Sequence, residues 1–283
     1  MGKIFDALKK SNKESISAAS SHEKFVTNKT KMPKKLEAQL DIEKPLYEHA
    51  KINEWLVTLL NPDSFEAEQF KILRTNLLFP VSGNLPRTIM VTSAVPDEGK
   101  SFVSANLAIS IAQGIDEHVL LMDCDIRRPC LHTRFGFNDV RGLSDYLANG
   151  ASIPSVLLKT KLEKLTILPG GKPYNNPSEL LISEKMSDLL KEIKIRYKDR
   201  YIIIDSPPPQ LTAESRAIAR QVDGIILVVK YGSTNRGIVS DLINIIGKEK
   251  ILGVIINWFD MRSSSYFGYG KYGQYYTNYQ KNR

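Results

Sequence analysis

The chain has 283 residues, a formal net charge of +8, 42% hydrophobic and 25% charged residues, which indicates a globular protein with one large core. No run of about 18 apolar residues occurs, which excludes a membrane-spanning helix. Residues 1–35 hold nine lysines and three acids, and residues 261–283 hold four basic residues and no acid. The remaining residues have a net charge of −2, so the excess of basic residues lies at the two ends of the chain. This distribution fits arms that contact an acidic partner or membrane surface and argues against nucleic-acid binding by the body.

The first 60 residues are predicted to be a basic arm and linker. Residues 2–10 could form a short amphipathic helix with Ile4, Phe5 and Leu8 on one face, acting as a docking peptide for a partner or lipid surface. A frayed, solvated tail is the alternative, because isolated helices this short are marginal. Little fixed structure is expected from residue 11 to 61. No apolar signal-peptide core precedes it, and a cytoplasmic location is expected.

A helix is predicted over residues 64–78, with Ser64 as its N-cap and an apolar stripe at helical spacing. Beyond it, apolar runs alternate with helical patterns. Strands are predicted at 88–92, 119–122, 165–168, 201–204, 224–229 and 251–256, and helices at 100–113, 143–147, 183–194, 213–221 and 236–246. This alternation predicts an α/β fold with a mostly parallel sheet covered by helices on both faces.

A phosphate-binding loop is predicted between the first strand and the helix after it. Ala94 is followed by four residues and then by Gly99, Lys100 and Ser101, in the strand–loop–helix context that a P-loop requires. Its backbone N–H groups would hold phosphate oxygens, Lys100 would reach the β- and γ-phosphates, and Ser101 would bind Mg²⁺. A chance Gly-Lys-Ser in an ordinary turn is the alternative. The predicted nucleotide-binding residues here are Val95, Pro96, Asp97, Glu98, Gly99, Lys100, Ser101 and Phe102.

Carboxylates follow two of the predicted strands. Asp123 and Asp125, with Arg127 after them, end the second strand, and Asp205 ends the fourth. Open α/β sheets bind ligands at the carboxyl ends of their strands, where carboxylates can hold Mg²⁺. Ser101, Asp123 and Asp205 are the predicted metal ligands, and Lys100, Asp123, Asp125 and Asp205 are the predicted catalytic residues.

The C-terminal tail is crowded with phenols. Six of the twelve tyrosines fall within the last eighteen residues: Tyr266, Tyr269, Tyr272, Tyr275, Tyr276 and Tyr279. Glycines between them oppose a helix, so a flexible tail is expected. A nucleotide site and such a tail together suggest phosphoryl transfer from ATP to tyrosine. A phenol with a pKa of about 10 needs a carboxylate to accept its proton, and Asp123 is the first candidate, with Asp125 second. Stacking on single-stranded nucleic acid is the alternative function of such a tail.

From about residue 61 to its end, the chain resembles the bacterial tyrosine kinases of exopolysaccharide and capsule synthesis. The resemblance is carried by the P-loop, by the apolar run ending in Asp123, Asp125 and Arg127, by the strand ending in Asp205, by residues 176–181, and by the tyrosine cluster. It implies a P-loop kinase domain at 61–260, a tyrosine-rich tail at 261–283, and autophosphorylation of that tail in trans with ATP and Mg²⁺. In related P-loop ATPases an Asn at the position of Asn257 contacts adenine, which adds Asn257 to the predicted nucleotide-binding residues, with an ordinary polar strand end as the alternative. Arg127 is added because it belongs to the family motif that follows the second strand.

The resemblance also predicts partners. The family's oligomerisation helix, at residues 61–80 here, carries Glu-x-x-Arg-x-x-Arg, whereas this chain has Glu68, Lys71 and Arg74, which keeps the charge but loses one bidentate fork. A ring-shaped homo-oligomer is implied, with a membrane-bound chain-length regulator as activator, a tyrosine phosphatase as antagonist, and a place at the inner face of the membrane through the partner. Two alternatives stay open: a switch ATPase of the ParA/MinD type, whose signature lysine would stand where Val95 stands, and a scaffold that uses ATP only structurally.

Overall fold

The computed structural model describes residues 52–259 apart from residues 81, 82, 84, 197 and 198, and describes only the backbone of Arg196. The predicted N-terminal amphipathic helix and the tyrosine cluster both lie outside these residues. Among the described residues, no helix is long and apolar enough to cross a membrane.

Seven strands form one sheet in the order β3-β4-β2-β5-β1-β6-β7, and every neighbouring pair is parallel except β3 with β4. The bounds are β1 Thr88–Ser93, β2 His118–Asp123, β3 Leu158–Lys159, β4 Leu165–Leu168, β5 Arg200–Asp205, β6 Gly224–Lys230 and β7 Ile251–Asn257. The six predicted strands are confirmed to within one residue at each end. The two-residue β3 was not predicted, because so short a strand carries no period of its own.

Ten α-helices and one 3-10 helix, Lys248–Lys250, occur in the described part of the chain. The α-helices are α1 Val57–Leu60, α2 Phe65–Leu78, α3 Lys100–Ala112, α4 Leu131–Arg134, α5 Leu143–Asn149, α6 Ile153–Val156, α7 Pro177–Ile182, α8 Glu184–Arg196, α9 Ala213–Gln221 and α10 Arg236–Ile246. The predicted helices are confirmed, including the N-cap at Ser64, whose hydroxyl accepts a hydrogen bond from Ala67 N at 3.1 Å. The short helices α1, α4, α6 and α7 were not predicted.

Helices cover both faces of the sheet, as the continuous apolar strands require. One face packs against α1, α2 and α3, with Phe70, Leu107 and Ile203 among its buried residues. The other packs against α5 to α10, with Leu189 and Ile204 among them. The predicted α/β class is therefore confirmed: a parallel sheet buried between two helical layers.

The segment before α2 differs from the linker that the sequence predicts. Leu56 is buried, and Asn106 in the middle of α3 holds the segment with two backbone hydrogen bonds. Its Nδ2 donates to Trp55 O at 2.8 Å, and its Oδ1 accepts from Thr58 N at 3.0 Å. A buried amide on a helix whose surface is otherwise largely apolar therefore fixes residues 55–58 against the domain. The linker prediction missed this because the contact is made across 48 residues of sequence.

Candidate active site

The loop between β1 and α3 has the conformation of an anion cradle. Asp97 and Gly99 both have positive φ values, 60° and 92°. Alternating handedness of this kind turns successive N–H groups toward one point, where α3 also presents its N-terminus. Glycine is required at position 99 for two reasons: its φ is positive, and a Cβ there would lie 2.0 Å from Asn257 Nδ2. The loop therefore has the shape that the P-loop pattern predicts.

The side chain of Glu98 holds this loop from within. It is 1% exposed, and its Oε2 accepts a hydrogen bond from Val95 N at 3.0 Å. Its Oε1 accepts from Lys230 N at 3.3 Å and from the Thr234 hydroxyl. Its backbone carbonyl accepts from Asn257 Nδ2 at 2.8 Å. Glu98 is therefore a structural brace that joins the loop to the ends of β6 and β7.

Two carboxylates face each other at the carboxyl ends of β2 and β5. Asp123 and Asp205 are paired in register and almost fully buried. Asp123 is held by backbone N–H groups: Oδ1 accepts from Asp125 N at 3.2 Å, and Oδ2 accepts from Cys130 N at 3.0 Å and Leu131 N at 3.1 Å. Burial first, and then the neighbouring Asp205, raises the pKa of Asp123 well above its usual range.

Asp205 has no comparable support. Both of its carboxylate oxygens are buried without a hydrogen-bond partner in the described residues. Burial raises the pKa of Asp205 to about 6, although the nearby Ser101 hydroxyl and Lys100 ammonium act in the opposite direction. That hydroxyl is close enough to act on the charge but forms no hydrogen bond of good geometry with it. A buried carboxylate with unused lone pairs beside a phosphate cradle suits a divalent cation or its bound water.

The described residues contain no group of three or more His, Cys, Asp or Glu side chains that could hold a metal ion by themselves. A cation at Asp205 and Ser101 would therefore take its remaining ligands from phosphate and water. Mg²⁺ is commonly bound in this way in nucleotide sites, through one or two carboxylates and the substrate phosphates. The donor set present fits that pattern.

Asp125 is the more accessible of the two aspartates after β2. Its side chain is only partly buried, and its Oδ1 accepts a hydrogen bond from Arg128 N at 3.2 Å. Burial raises the pKa of Asp125, while the Arg128 N–H and the Lys100 ammonium oppose this rise. Lys100 itself is largely buried at the start of α3. The predicted catalytic residues Lys100, Asp125 and Asp205 are thus close enough to affect one another's charge.

The guanidinium of Arg127 closes a polar triangle beside these aspartates. Its Nε donates to Glu214 Oε1 at 3.0 Å, and its Nη2 donates to Ser178 Oγ at 2.7 Å. The Ser178 hydroxyl in turn donates to Glu214 Oε2 at 2.8 Å. Glu214 is buried whereas the Arg127 side chain is 47% exposed. The triangle ties the loop after β2 to the first turns of α7 and α9.

Sequence reasoning missed Glu214, Ser178 and Thr234 as parts of the site. Glu214 lies in the first turn of α9 and Ser178 in the first turn of α7. An acid or a hydroxyl at such a position usually stabilises the N-terminus of the helix, so neither residue suggests a site. Ser178 belongs to the segment 176–181 that the family resemblance includes, which was the one available signal. Nothing local distinguishes Thr234 from a turn residue.

Phe102 and the residues predicted to mediate oligomerisation make contacts within the chain. Phe102 packs edge-on against Trp55 and Phe70, with ring centroids 6.5 and 5.8 Å away. Its side chain thus contacts the helical layer, which leaves its backbone as the group that could bind phosphate. On α2, Lys71 Nζ lies 3.1 Å from Glu68 Oε2. Arg74 Nη1 donates to Ser110 O on α3 at 2.7 Å. Both cysteines of the chain are free thiols: Cys124 is buried and Cys130 is partly buried.

The fold and this site define a P-loop nucleotide-binding protein, and comparison with known proteins narrows the class. The chain is 32% identical over 216 residues to the tyrosine-protein kinase YwqD of Bacillus subtilis, which covers 76% of this chain and 90% of that protein. It is 32% identical over 228 residues to the tyrosine-protein kinase wzc of Salmonella typhimurium, which covers 80% of this chain but 31% of wzc. No family model matches the chain.

Comparison with solved structures supports the same class of protein. The kinase domain of the Escherichia coli tyrosine kinase ETK superposes with a TM-score of 0.69 at 31% identity, covering 83% of this chain and 92% of that domain. The cell division ATPase MinD of Pyrococcus furiosus superposes with a TM-score of 0.53 at 22% identity, which is a likeness of fold alone.

The chain belongs to the family of bacterial tyrosine-protein kinases. It is accordingly an enzyme that transfers a phosphoryl group from a nucleotide to tyrosine. The switch-ATPase alternative is not favoured, because the kinases match at higher identity and over more of the chain.

Proposed function

We propose that this kinase uses ATP with Mg²⁺ to phosphorylate the tyrosine cluster at 266–279 of a neighbouring subunit. The observation that carries the proposal is the pair of buried carboxylates, Asp123 and Asp205, at adjacent strand ends beside Lys100 and the loop. Phosphoryl transfer needs positioning and neutralisation of charge more than covalent chemistry. Lys100 would neutralise phosphate charge, and Ser101 and Asp205 would hold Mg²⁺, which supplies further neutralisation when it is bound.

We assign the role of general base to Asp125 in preference to Asp123, which the sequence ranks first. Asp123 is fully buried, and both of its oxygens already accept backbone hydrogen bonds. Asp125 is partly exposed, and its pKa is raised, so it can meet an incoming phenol and accept its proton. Asp123 would then act by fixing the loop that carries Asp125.

The test is mass spectrometry of the purified full-length protein after incubation with ATP and Mg²⁺. Phosphate is expected on residues within 266–279 of the wild type and is expected to be absent from Lys100→Met. Lys248→Met is the matched control, because Lys248 is exposed and precedes β7 at the other end of the sheet. Absence of phosphotyrosine from the wild type, or its persistence in Lys100→Met, would contradict the proposal.

Transfer in trans requires assembly, which we propose to occur through α2. Glu68 and Lys71 are both about one-third exposed and form an ion pair that a neighbouring subunit could exchange. Arg74 would serve mainly to hold α2 on α3. Sedimentation of Glu68→Lys beside the wild type tests this assignment: a smaller species is expected, and an unchanged mass would refute it. A ring is the assembly that the family resemblance predicts.

We further propose a role in exopolysaccharide or capsule export, with a membrane-bound chain-length regulator as activator. The match to wzc spans 31% of the length of wzc. The kinase would then lie at the inner face of the membrane through that partner. Each phosphate adds about −1.5 to −2 charges. Several of them would reverse the +4 charge of residues 261–283 and loosen the assembly, and a tyrosine phosphatase would reset it.

A further inference from the structure

An exposed tryptophan stands beside the phosphate loop without a role in the chemistry described so far. Trp258 follows the last residue of β7, and 60% of its surface is exposed. Its φ value is +60°, a left-handed conformation that bulky residues rarely adopt and that costs free energy. Its indole Nε1 lies 3.8 Å from the point where a Cβ on Gly99 would be. The indole is therefore next to the first turn of α3.

The turn that carries Trp258 is held on both sides. Asn257 Nδ2 donates to Glu98 O in the loop, and Asn257 O accepts a hydrogen bond from Tyr231 N at 2.9 Å. The Tyr231 ring packs edge-on against Phe259, with centroids 4.8 Å apart. The Lys230 ammonium lies 5.1 Å from the centre of the Trp258 ring. These contacts fix the position of the indole, although most of its surface faces solvent.

Strand order indicates which end of a nucleotide meets this tryptophan. β5 and β2, which carry Asp205, Asp123 and the loop of Asp125, lie on one side of β1, and β6 and β7 lie on the other. The γ-phosphate has to be on the carboxylate side, because the general base and the cation ligands are there. The base is the opposite end of the nucleotide and extends toward β7, which is two strands from β1, about 10 Å away. A substrate tyrosine approaches the γ-phosphate and so arrives on the other side.

We propose that Trp258 is the stacking platform for the nucleotide base, a role that rests on the proposed use of ATP at this loop. An exposed indole ring offers a flat π surface to any purine. Lys230 over the ring adds positive charge near the ribose and phosphates. The left-handed backbone at Trp258 sets the indole against the loop, which accounts for a strained conformation at a bulky residue.

The experiment compares ATP with inorganic tripolyphosphate, which has the phosphates but lacks the base. Binding of each to the full-length protein is measured by isothermal titration calorimetry for wild type, Trp258→Ala and Trp258→Phe. Loss of one base stack is expected to weaken ATP binding by on the order of tenfold in Trp258→Ala. Tripolyphosphate binding should be unchanged, and Trp258→Phe should recover most of the ATP affinity. Ile115→Ala, which removes an exposed apolar side chain before β2 at the opposite end of the sheet, is the control.

Kinetics provide a second measurement. Because the base is remote from the transferred phosphate, Trp258→Ala should raise KM for ATP and leave kcat nearly unchanged. ATP binding equal to wild type in Trp258→Ala would overturn the inference. An equal loss of ATP and tripolyphosphate would also overturn it, because Trp258 would then support only the loop. If the wild type forms no phosphotyrosine but ATP binding depends on Trp258 as described, the proposed kinase mechanism fails and the base platform stands.

Discussion

Replacing Asp205 with asparagine is expected to stabilise the nucleotide-free protein while abolishing its activity. Asp205 is 1% exposed, its oxygens lack hydrogen-bond partners in the described residues, and its pKa is raised from 3.8 to about 6. A difference of about two units corresponds to about 3 kcal/mol by which the ionised carboxylate disfavours the folded state above that pH. Asparagine carries no charge, and its N–H can donate to the facing carboxylate of Asp123.

The stabilisation depends on pH in a defined way. Between pH 3.8 and about 6 the folded protein keeps a proton on Asp205 that the unfolded chain has released, so the wild type loses stability as the pH rises through this window. Below the window Asp205 is protonated in both states, and above it the full cost is present. The difference between wild type and Asp205→Asn should therefore be small near pH 4, grow up to about pH 6, and stay constant at higher pH.

Thermal and urea unfolding without nucleotide or metal, measured across this pH range, provide the assay. An upper limit of about 3 kcal/mol corresponds to roughly 6–12 °C in Tm for a domain of this size. Asp223→Asn is the control of opposite sign. Burial alone would raise the pKa of Asp223, but its hydrogen bonds to Lys194 and Thr88 outweigh burial and lower it. That variant should lose stability at neutral pH. The reasoning is refuted if Asp205→Asn unfolds more easily than wild type at neutral pH, or if the difference between them does not change with pH.

Three further changes test other parts of the site. Gly99→Ala places a Cβ 2.0 Å from the amide nitrogen of Asn257 at a φ of +92°, so ATP affinity measured by calorimetry should fall by about an order of magnitude or more. Gly150→Ala, with a φ of +70° and open space around the added Cβ, is the control and should bind ATP normally. Glu214→Ala removes the partner of Arg127, so it should lower the phosphorylation rate and reduce the unfolding free energy by about 1 kcal/mol. Glu214→Gln should keep part of the rate and part of the stability. Equal phosphorylation rates in the wild type and both variants would contradict this expectation. Asn106→Leu leaves buried backbone groups of residues 55–58 unpaired, so it should lower the unfolding free energy by about 2 kcal/mol and expose that segment to proteolysis, and unchanged protease resistance would contradict it.

Much of the fold could be predicted from the sequence because its signals are local. A buried parallel strand such as β5 or β6 is a continuous apolar run, and α3 begins at a Gly-Lys-Ser that permits few other backbones. Elements without a strong local signal were missed for the same reason. α4 and α6 span a single turn each, too short for a period to emerge, and residues 55–58 are ordered by one amide that is distant in sequence.

The candidate site also has a part that the sequence predicts and a part that it does not. Residue types with strong chemistry at motif spacing, such as Lys100, Asp123 and Asp205, could be selected without coordinates. Which carboxylate is accessible could not be predicted, because it depends on the backbone N–H groups of Cys130 and Leu131, at the start of α4, that bind Asp123. The triangle of Arg127, Ser178 and Glu214 joins the loop after β2 to the first turns of α7 and α9, which are separated by tens of residues in sequence. Such contacts leave no periodic trace in a single sequence.

The electrostatics of the site link its function to its stability. A core that buries Asp123 beside Asp205 holds two carboxylates whose raised pKa values record an unfavourable free energy. The two apolar layers on either side of the sheet have to offset that cost. A cation bound with nucleotide would remove much of the repulsion, so the site is expected to bind nucleotide and metal together more tightly than either alone. This coupling favours binding of the complete substrate over binding of free nucleotide, as a kinase that must avoid unproductive complexes requires.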